Sequence, residues 1–486
     1  MSEIQSERED RIKKLDELRE LNIDPYPARS SRNCAIKDAV ESFSIFEKEK
    51  KEIVLAGRLR SMRSHGNLSF AHLDDGSSQI QIAISKKDTG DTYKQFVKLI
   101  DTGDFIEVVG ECFVTHKGEN SILVKKWTLL TKTLRPLPDK FHGLTDEEEK
   151  YRKRYLDILF NPEVREMFEK KARFWNAVRT FLISKNFLEV ETPILETTTG
   201  GADARPFMTY HNALDIDVCL RISAGELWQK ELMVAGFEKT FEIGRIFRNE
   251  GMSAEHLQDY TQMEFYWAYA DFKMGMRLIE ELYKYVAQET FGTLKFQIGK
   301  HVVDLGVQWE VYDYAETIKR FAGVDVLQSS LADIEDKLKE LKIEYDKKGF
   351  NITRAIDNLW KYCRKQISGP GFLVGVPAEV SPLAKLDENN PRITQRFQPI
   401  IAGSELGNGY SELNDPIDQE MRFREQDELR KAGDDEAQMH AYEFVEALEH
   451  GMPPTCGFGM SERVFAFLMN KSVRECQIFP LMRPKG

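Results

Sequence analysis

No stretch of the 486 residues approaches the roughly 18 consecutive apolar residues of a membrane span, and the N-terminal run MSEIQSEREDRIKK is charged. Neither an anchor nor a signal peptide is expected. Cysteine is scarce: Cys34, Cys112, Cys219, Cys363, Cys456 and Cys476 include no C-x-x-C pair, so neither a zinc site nor a disulfide framework is signalled and a reducing cytoplasm fits best. The sequence also lacks a P-loop G-x-x-x-x-G-K-[ST] and a G-x-G-x-x-G after a strand, so any nucleotide is bound by another route. Nor is there an excess of basic residues. Lys plus Arg number 68 against 80 Asp plus Glu, a net charge of −12, which over the whole chain argues against a dedicated nucleic-acid binder.

What is present divides along the chain. Residues 1–50 start with an amphipathic helix carrying Ile12, Leu15, Leu18 and Leu21, stopped by Asn22-Ile23-Asp24-Pro25. Five short alternating runs follow within 51–135, the pattern of a small closed OB-type β-barrel. Residues 53–140 hold 13 Lys or Arg and 10 Asp or Glu, so this segment is locally basic at +3 while the rest carries −15. Arg58, Arg60 and Arg63, expected to be exposed, with Phe70 and His72 on the next strand, set cations beside stacking groups, as single-stranded RNA recognition requires. The plain alternative is a solvated face and a core phenylalanine. Residues 136–160 read as a linker, and 161–486 as a second domain with a charged helical insertion at about 315–370. Its first helix is expected to present Phe168, Ala172, Trp175, Val178 and Leu182 on one face.

Three elements carry chemistry. In YTQMEFYW, alternation places Tyr260, Gln262, Glu264 and Tyr266 on one face and Thr261, Met263, Phe265 and Trp267 on the other. An eleven-residue loop joins this strand to FEIGRIF, and Arg248 stands at its base. A polar row on a covered strand needs partners, either a charged ligand or an internal Arg248–Glu264 pair. In GSELGNGYSELND, Asn408, Tyr410 and Glu412 share a face, Glu405 is expected to point the other way, and Gly407 and Gly409 are expected to leave room for a ligand. In PPTCGFGMSERVFAFLMN, a small-residue strand runs into a helix with Arg463 near its start, where anions bind.

Together these elements resemble the three signature motifs of class II aminoacyl-tRNA synthetases, most closely the bacterial-type lysine enzymes (class IIb). The likeness runs through LRPLPDKFHG, FLEVETPIL, FRNEGMSAEHLQDYTQME, PAEVSPLAK, GNGYSELNDPIDQ, GFGMSER and FPLMRP. It implies an α+β fold: an N-terminal OB barrel that reads the anticodon, then an antiparallel-sheet catalytic domain with a helical insertion. It also implies a homodimer through the long helix and FLEVETPIL. The implied reaction joins ATP and L-lysine to lysyl-adenylate and pyrophosphate, then transfers lysine to the 3′ end of tRNA(Lys), with Mg²⁺ accompanying ATP.

By resemblance, Arg248 and Arg463 are the catalytic pair. Arg248 takes the α-phosphate and the lysine carboxylate, and Arg463 the γ-phosphate and adenine ring. Glu250, His256, Tyr260 and Glu405 complete the ATP site. The lysine pocket would comprise Gly201, Glu226, Glu264, Tyr266, Asn408, Tyr410 and Glu412, whose carboxylates have the sign for a substrate with two ammonium groups. The sequence departs from the family where a metal-binding carboxylate beside Glu405 becomes Gln398, where the approach to Glu226 (ISAGELWQK) is one residue longer, and where Glu462 replaces the more common Asp. Two other readings are a synthetase-like RNA-binding protein without catalysis, which Gln398 favours, and an enzyme that ligates lysine to a protein, which the barrel disfavours.

Overall fold

The computed structural model describes residues 3–138, 146–198, 200–201, 204–251, 253–345, 350–378, 381–431 and 439–485. Residues 139–145 of the linker, 346–349 of the insertion and 379–380 of PAEVSPLAK lie outside these. The chain forms two compact units, 1–161 and 162–486. No described helix is long and apolar enough to cross a membrane.

In the first unit the helix Glu3–Glu20 buries Leu15 and Leu18, while Leu21 is exposed beyond its end. Strands β1 (Glu52–His65), β2 (Leu68–Asp74), β3 (Gln79–Ser85), β4 (Phe105–Val114) and β5 (Asn120–Thr131) close into a barrel in the order β1-β2-β3-β5-β4. Period-two alternation sends Leu55, Leu59, Leu73, Ile82, Ile84, Ile106, Val108 and Val124 inward, each fully buried. At roughly 1.5–3 kcal/mol per buried aliphatic side chain, this interior dominates the unit's stability. The same alternation turns Phe70 and His72 outward on β2. The rest of the expected linker holds two helices, Glu147–Arg152 and Arg154–Phe160.

The second unit opens with the helix Pro162–Ser184. Its buried stripe is Met167, Phe174, Ala177, Val178, Phe181 and Leu182. Ala172, expected on that stripe, is exposed, because two positions from Phe174 is about 200° of helical rotation. The strands are β6 (Leu188–Glu189), β7 (Leu195–Glu196), β8 (Met208–His211), β9 (Ile216–Leu220), β10 (Lys239–Phe247), β11 (Asp259–Ala268), β12 (Lys295–Ile298), β13 (His301–Asp304), β14 (Glu310–Asp313), β15 (Gly371–Val374), β16 (Arg396–Ile401), β17 (Ser404–Glu405), β18 (Asn408–Ser411) and β19 (Thr455–Ser461). The main sheet runs β14-β15-β16-β18-β19-β11-β10-β6, with β17 paired to β16. It is antiparallel except at β6–β10 and β14–β15. One face packs on Pro162–Ser184 and the helix Phe272–Phe291 through Met263, Phe265, Phe397 and Phe458. Helices Tyr314–Ala322, Leu331–Glu340 and Ile352–Arg364 form a separate small core around Ile318, Ile334, Leu338 and Leu359.

Candidate active site

The site lies on the other face of the sheet, and strand register builds it. On β11, Met263 and Phe265 enter the core, so Tyr260, Gln262, Glu264 and Tyr266 must face away from it, and all four line a cavity of about 390 Å³. Gly459 of β19 stands between Glu264 of β11 and Asn408 of β18, and Gly457 between Tyr266 and Tyr410. The floor is therefore bare backbone between two polar walls. A Cβ on Gly457 would collide with Glu412 Oε1 and lie 2.6 Å from the Tyr266 ring; on Gly459 it would lie 3.2 Å from Glu264 Cγ.

These are not the glycines expected to make room. Gly407 lines the cavity with its backbone and Gly409 does not, and Cβ atoms on the two would strike Phe458 at 2.5 Å and Phe397 at 2.6 Å, so what their missing side chains leave room for is the core. Glu405 also departs from expectation, since it lines the same cavity as Asn408, Tyr410 and Glu412. β17 is a separate two-residue strand, and the turn through Leu406, which is buried in the core, breaks the pleat before β18.

The cavity collects Gly201, Glu226, Arg248, Tyr260, Glu264, Tyr266, Gln398, Glu405, Asn408, Tyr410, Glu412 and Arg463. Two expected members stand apart. His256 lines a neighbouring cavity of about 120 Å³ with Arg248, Tyr260 and Arg463, and bonds Ser253 Oγ through Nδ1 at 2.9 Å. Glu250 is exposed and lines neither cavity. The longer approach to Glu226 does not displace it: Gly225, at φ +73°, turns the chain so that the helix Glu226–Val234 starts on the cavity wall. Glu462 does not line the main cavity; it borders the smaller one with His256 and is buried against Lys171 and Gln477.

Charge is unevenly neutralised. Glu264 accepts from the Ala224 N–H at 2.8 Å, from Tyr266 Oη at 3.1 Å and from Gln262, so the alternative pair with Arg248 does not form. Burial, then the Glu226 charge, pushes Glu264 up to about 7. Burial pushes Glu412 up to about 8, Lys230 pulling it down and Glu226 and Glu264 pushing it up. Tyr266 and Tyr410 are held well above the ordinary phenol range by burial and the same carboxylates. Arg248 donates to the Ile222 carbonyl at 3.3 Å and has no carboxylate within 4 Å among the described residues. Arg463 bonds Glu255 and Ser404.

Three participants escaped the sequence reading. Arg396 lines the cavity and holds Asn408 Oδ1 at 2.7 Å and Ser381 Oγ at 2.8 Å; its period-two spacing from Gln398 was the available signal. Glu255 occupies Arg463. Lys230 stands behind the wall with Nζ 2.8 Å from Glu226 and 2.6 Å from Glu412, and its i+4 spacing from Glu226 was the signal there. For metal, Glu405 and Gln398 offer oxygen donors, and Trp360 donates to Glu405. Among the described residues no three His, Cys, Asp or Glu side chains cluster to hold an ion, so the donor set fits a hard cation that brings most of its own ligands.

On the barrel, Arg63 is exposed and lies opposite Phe70 in register, and His72 bonds Ser61 Oγ at 3.0 Å. Phe70 is half-buried and absent from the barrel core, so it is not a core phenylalanine. Arg58 and Arg60 are not free as expected. Arg58 lies 4.3 Å over the Phe105 ring and donates to the Gly103 carbonyl at 3.1 Å. The Arg60 side chain, 6% exposed, pairs with Asp74 at 3.7 Å and lies 4.9 Å over Phe160.

Residues 146–483 match the family described as tRNA synthetases class II (D, K and N), and residues 53–130 match the OB-fold nucleic acid binding domain. A lysine–tRNA ligase of Pelotomaculum thermopropionicum is 43% identical, covering 98% of this chain and 94% of that protein. The Roseiflexus sp. lysine–tRNA ligase is 40% identical (99% and 100%), and that of Bacillus subtilis 41% (99% and 98%). A class II sheet whose cavity is lined by four carboxylates and by Arg248, in a chain that also carries an OB barrel, accords with these likenesses, and the chain belongs to the lysine–tRNA ligase family of class II synthetases.

Proposed function

We propose that this protein activates L-lysine with ATP and transfers it to tRNA(Lys) for translation. The observation that carries the reading is the buried set of Glu226, Glu264 and Glu412 in one cavity with Arg248, which has no carboxylate within 4 Å among the described residues. Three buried carboxylates seek cations, and lysine brings two ammonium groups. Aspartate or asparagine brings only its α-ammonium, so that with Lys230 counted one buried carboxylate would still lack a cation, a loss on the order of several kcal/mol.

The lysine carboxylate is already a nucleophile, so the site's work is placement and charge stabilisation. Glu412 and Tyr266 take the side-chain ammonium, Glu264, Glu226 and the Gly201 backbone the α-ammonium, and Tyr410 covers the methylenes. Asn408, oriented by Arg396, sits near the carboxylate. Arg248 binds the carboxylate and the α-phosphate through a planar fork suited to both. Tyr260, which has Arg248 5.9 Å over its ring, stacks on adenine. Arg463 grips the terminal phosphate after Glu255 yields, with His256 and Glu250 on the loop between β10 and β11. Mg²⁺ bound by Glu405 and Gln398 would neutralise phosphate charge; exchange activity that survives chelation would refute this.

Phe70 and His72 on the outward face of β2, with Arg63 opposite Phe70 on β1, support anticodon contact. Exposed Ile183, Leu188, Ile194 and Leu195 along the expected dimer segment support a homodimer, and a monomeric mass by light scattering at micromolar concentration would refute it.

The test is amino-acid-dependent exchange of pyrophosphate into ATP across the twenty amino acids. Lysine alone should support it; exchange with aspartate or asparagine but not lysine overturns the substrate, and exchange with none overturns the enzyme.

A further inference from the structure

The helix Glu226–Val234 places a lysine where a soluble protein seldom keeps one. Lys230 is fully buried, and its Nζ lies 2.8 Å from Glu226 Oε1 and 2.6 Å from Glu412 Oε2. The rings of Tyr410, Phe444 and Tyr266 surround the ammonium at 5.5, 5.7 and 5.9 Å. Both of its carboxylate partners line the cavity, while Lys230 itself does not. It therefore acts on the contents of the cavity only through the residues it holds.

The charge count gives this contact a purpose. Glu226, Glu264 and Glu412 carry three negative charges when ionised, and Lys230 leaves two. The substrate proposed above brings two ammonium groups, with its carboxylate directed to Arg248. Without Lys230 the pocket would hold one carboxylate too many, and a buried surplus charge is relieved by taking up a proton. A protonated carboxyl cannot pair with the incoming ammonium. The contact also fixes geometry: Tyr410 donates to the same Glu226 oxygen that Lys230 holds, so the Glu226 and Glu412 carboxylates are tied together across the pocket.

We infer that Lys230 is a positioning residue that offsets one of the three carboxylates Glu226, Glu264 and Glu412, leaving two for the ammonium groups of lysine, and holds Glu226 and Glu412 aligned for them. The inference rests on the lysine reading of the cavity. The groups facing Lys230 are Glu226 on its own helix, Glu264 and Tyr266 on β11, Tyr410 and Glu412 on and after β18, and the uncharged Phe444 on the helix Tyr442–Glu449. Burial disfavours its ammonium, but Glu226 and Glu412 outweigh burial and hold it above the usual lysine value.

The experiment measures lysine KM in ATP–pyrophosphate exchange from pH 6 to 9 for the full-length wild type, Lys230→Met, Lys230→Arg and the double variant Lys230→Met/Glu226→Gln. Lys230→Met should raise lysine KM at neutral pH on the order of 10-fold or more while leaving the KM for ATP unchanged. Its KM should fall with a midpoint about one pH unit higher than in the wild type, because the remaining carboxylates ionise later. Lys230→Arg keeps the charge and should keep the midpoint. The double variant restores the count of two and should bring the midpoint back toward the wild type. Should Lys230→Met not fold, Lys230→Gln, which also removes the charge but keeps a polar side chain, takes its place alone and in the double variant, with the same expected and overturning outcomes. Wild-type exchange with lysine but an unshifted midpoint in Lys230→Met, a midpoint in the double variant no lower than in Lys230→Met, or a shift in Lys230→Arg overturns this inference alone. Absence of lysine-dependent exchange in the wild type overturns the lysine reading on which it rests.

Discussion

Gly457→Ala separates a floor built for a ligand from one built for packing. The added methyl would meet Glu412 Oε1 and lie 2.6 and 3.0 Å from two carbons of the Tyr266 ring, contacts that real Cβ atoms do not show. Glu412 can withdraw only by loosening its 2.6 Å contact with Lys230, and Tyr266 is fixed by burial and by its bond to Glu264. Forcing one methyl group into such packing costs about 1–3 kcal/mol. If that cost falls on the lysine-bound state, lysine KM rises roughly 5- to 150-fold. Gly409→Ala supplies the contrast: its methyl would lie 2.6 Å from Phe397 and 2.8 Å from the Gly457 carbonyl, on the core side. It should lower the melting temperature of the protein and leave the lysine KM of the folded fraction near normal. The assay is pyrophosphate exchange at varied lysine, paired with thermal melting. A wild-type lysine KM in Gly457→Ala, or the same effects from both substitutions, would refute the assignment of the two glycine sets to opposite faces.

Arg248→Ala should reduce exchange on the order of 10²- to 10³-fold, as loss of a preorganised charge at the reacting centre does; appreciable exchange removes Arg248 from the phosphate role. Phe70→Ala should raise the KM for tRNA by about 5- to 150-fold, the worth of one stacked base, without changing exchange, whereas Arg60→Ala should lower barrel stability instead. Equal losses in charging and exchange for Phe70→Ala would count against anticodon contact. Because Glu264 and Glu412 are raised to about 7 and about 8, lysine binding near pH 7 should release protons, read by calorimetry in buffers of different ionisation enthalpy. Their folded values exceed the unfolded ones, so their contribution to stability is complete below about pH 4.5 and is lost as pH rises through 7 to 8. Glu412→Gln should therefore gain in melting temperature relative to the wild type as pH rises over that window; a constant difference would refute the shift.

The strand that carries Glu264 was legible because alternation is a local rule: once Met263 and Phe265 are apolar, their neighbours must face the other way. The same rule misplaced Glu405, because parity holds only within one unbroken strand and β17 ends two residues before β18 begins. Spacing told that glycines were needed, but not on which side, since that depends on Phe397 and Phe458 from other strands. Arg58 and Arg60 read as free cations because the aromatic rings and carboxylate that engage them, Phe105, Phe160 and Asp74, are distant in sequence or on a neighbouring strand. Lys230 drew no reading at all, since nothing local says that its helix lies under two carboxylates.

The bare floor of β19 also limits how this site could change its substrate. A wall of side chains can be retuned by exchanging one residue for another, but Gly457 and Gly459 offer only backbone, whose height is set by hydrogen-bond register with β11 and β18. Sliding β19 by one residue would lift Phe458 and Met460 into the cavity and drop the glycines into the core, filling the site and emptying its support together. New specificity must therefore come from the flanking strands and the helix Glu226–Val234, with the central strand held constant as a fixed datum.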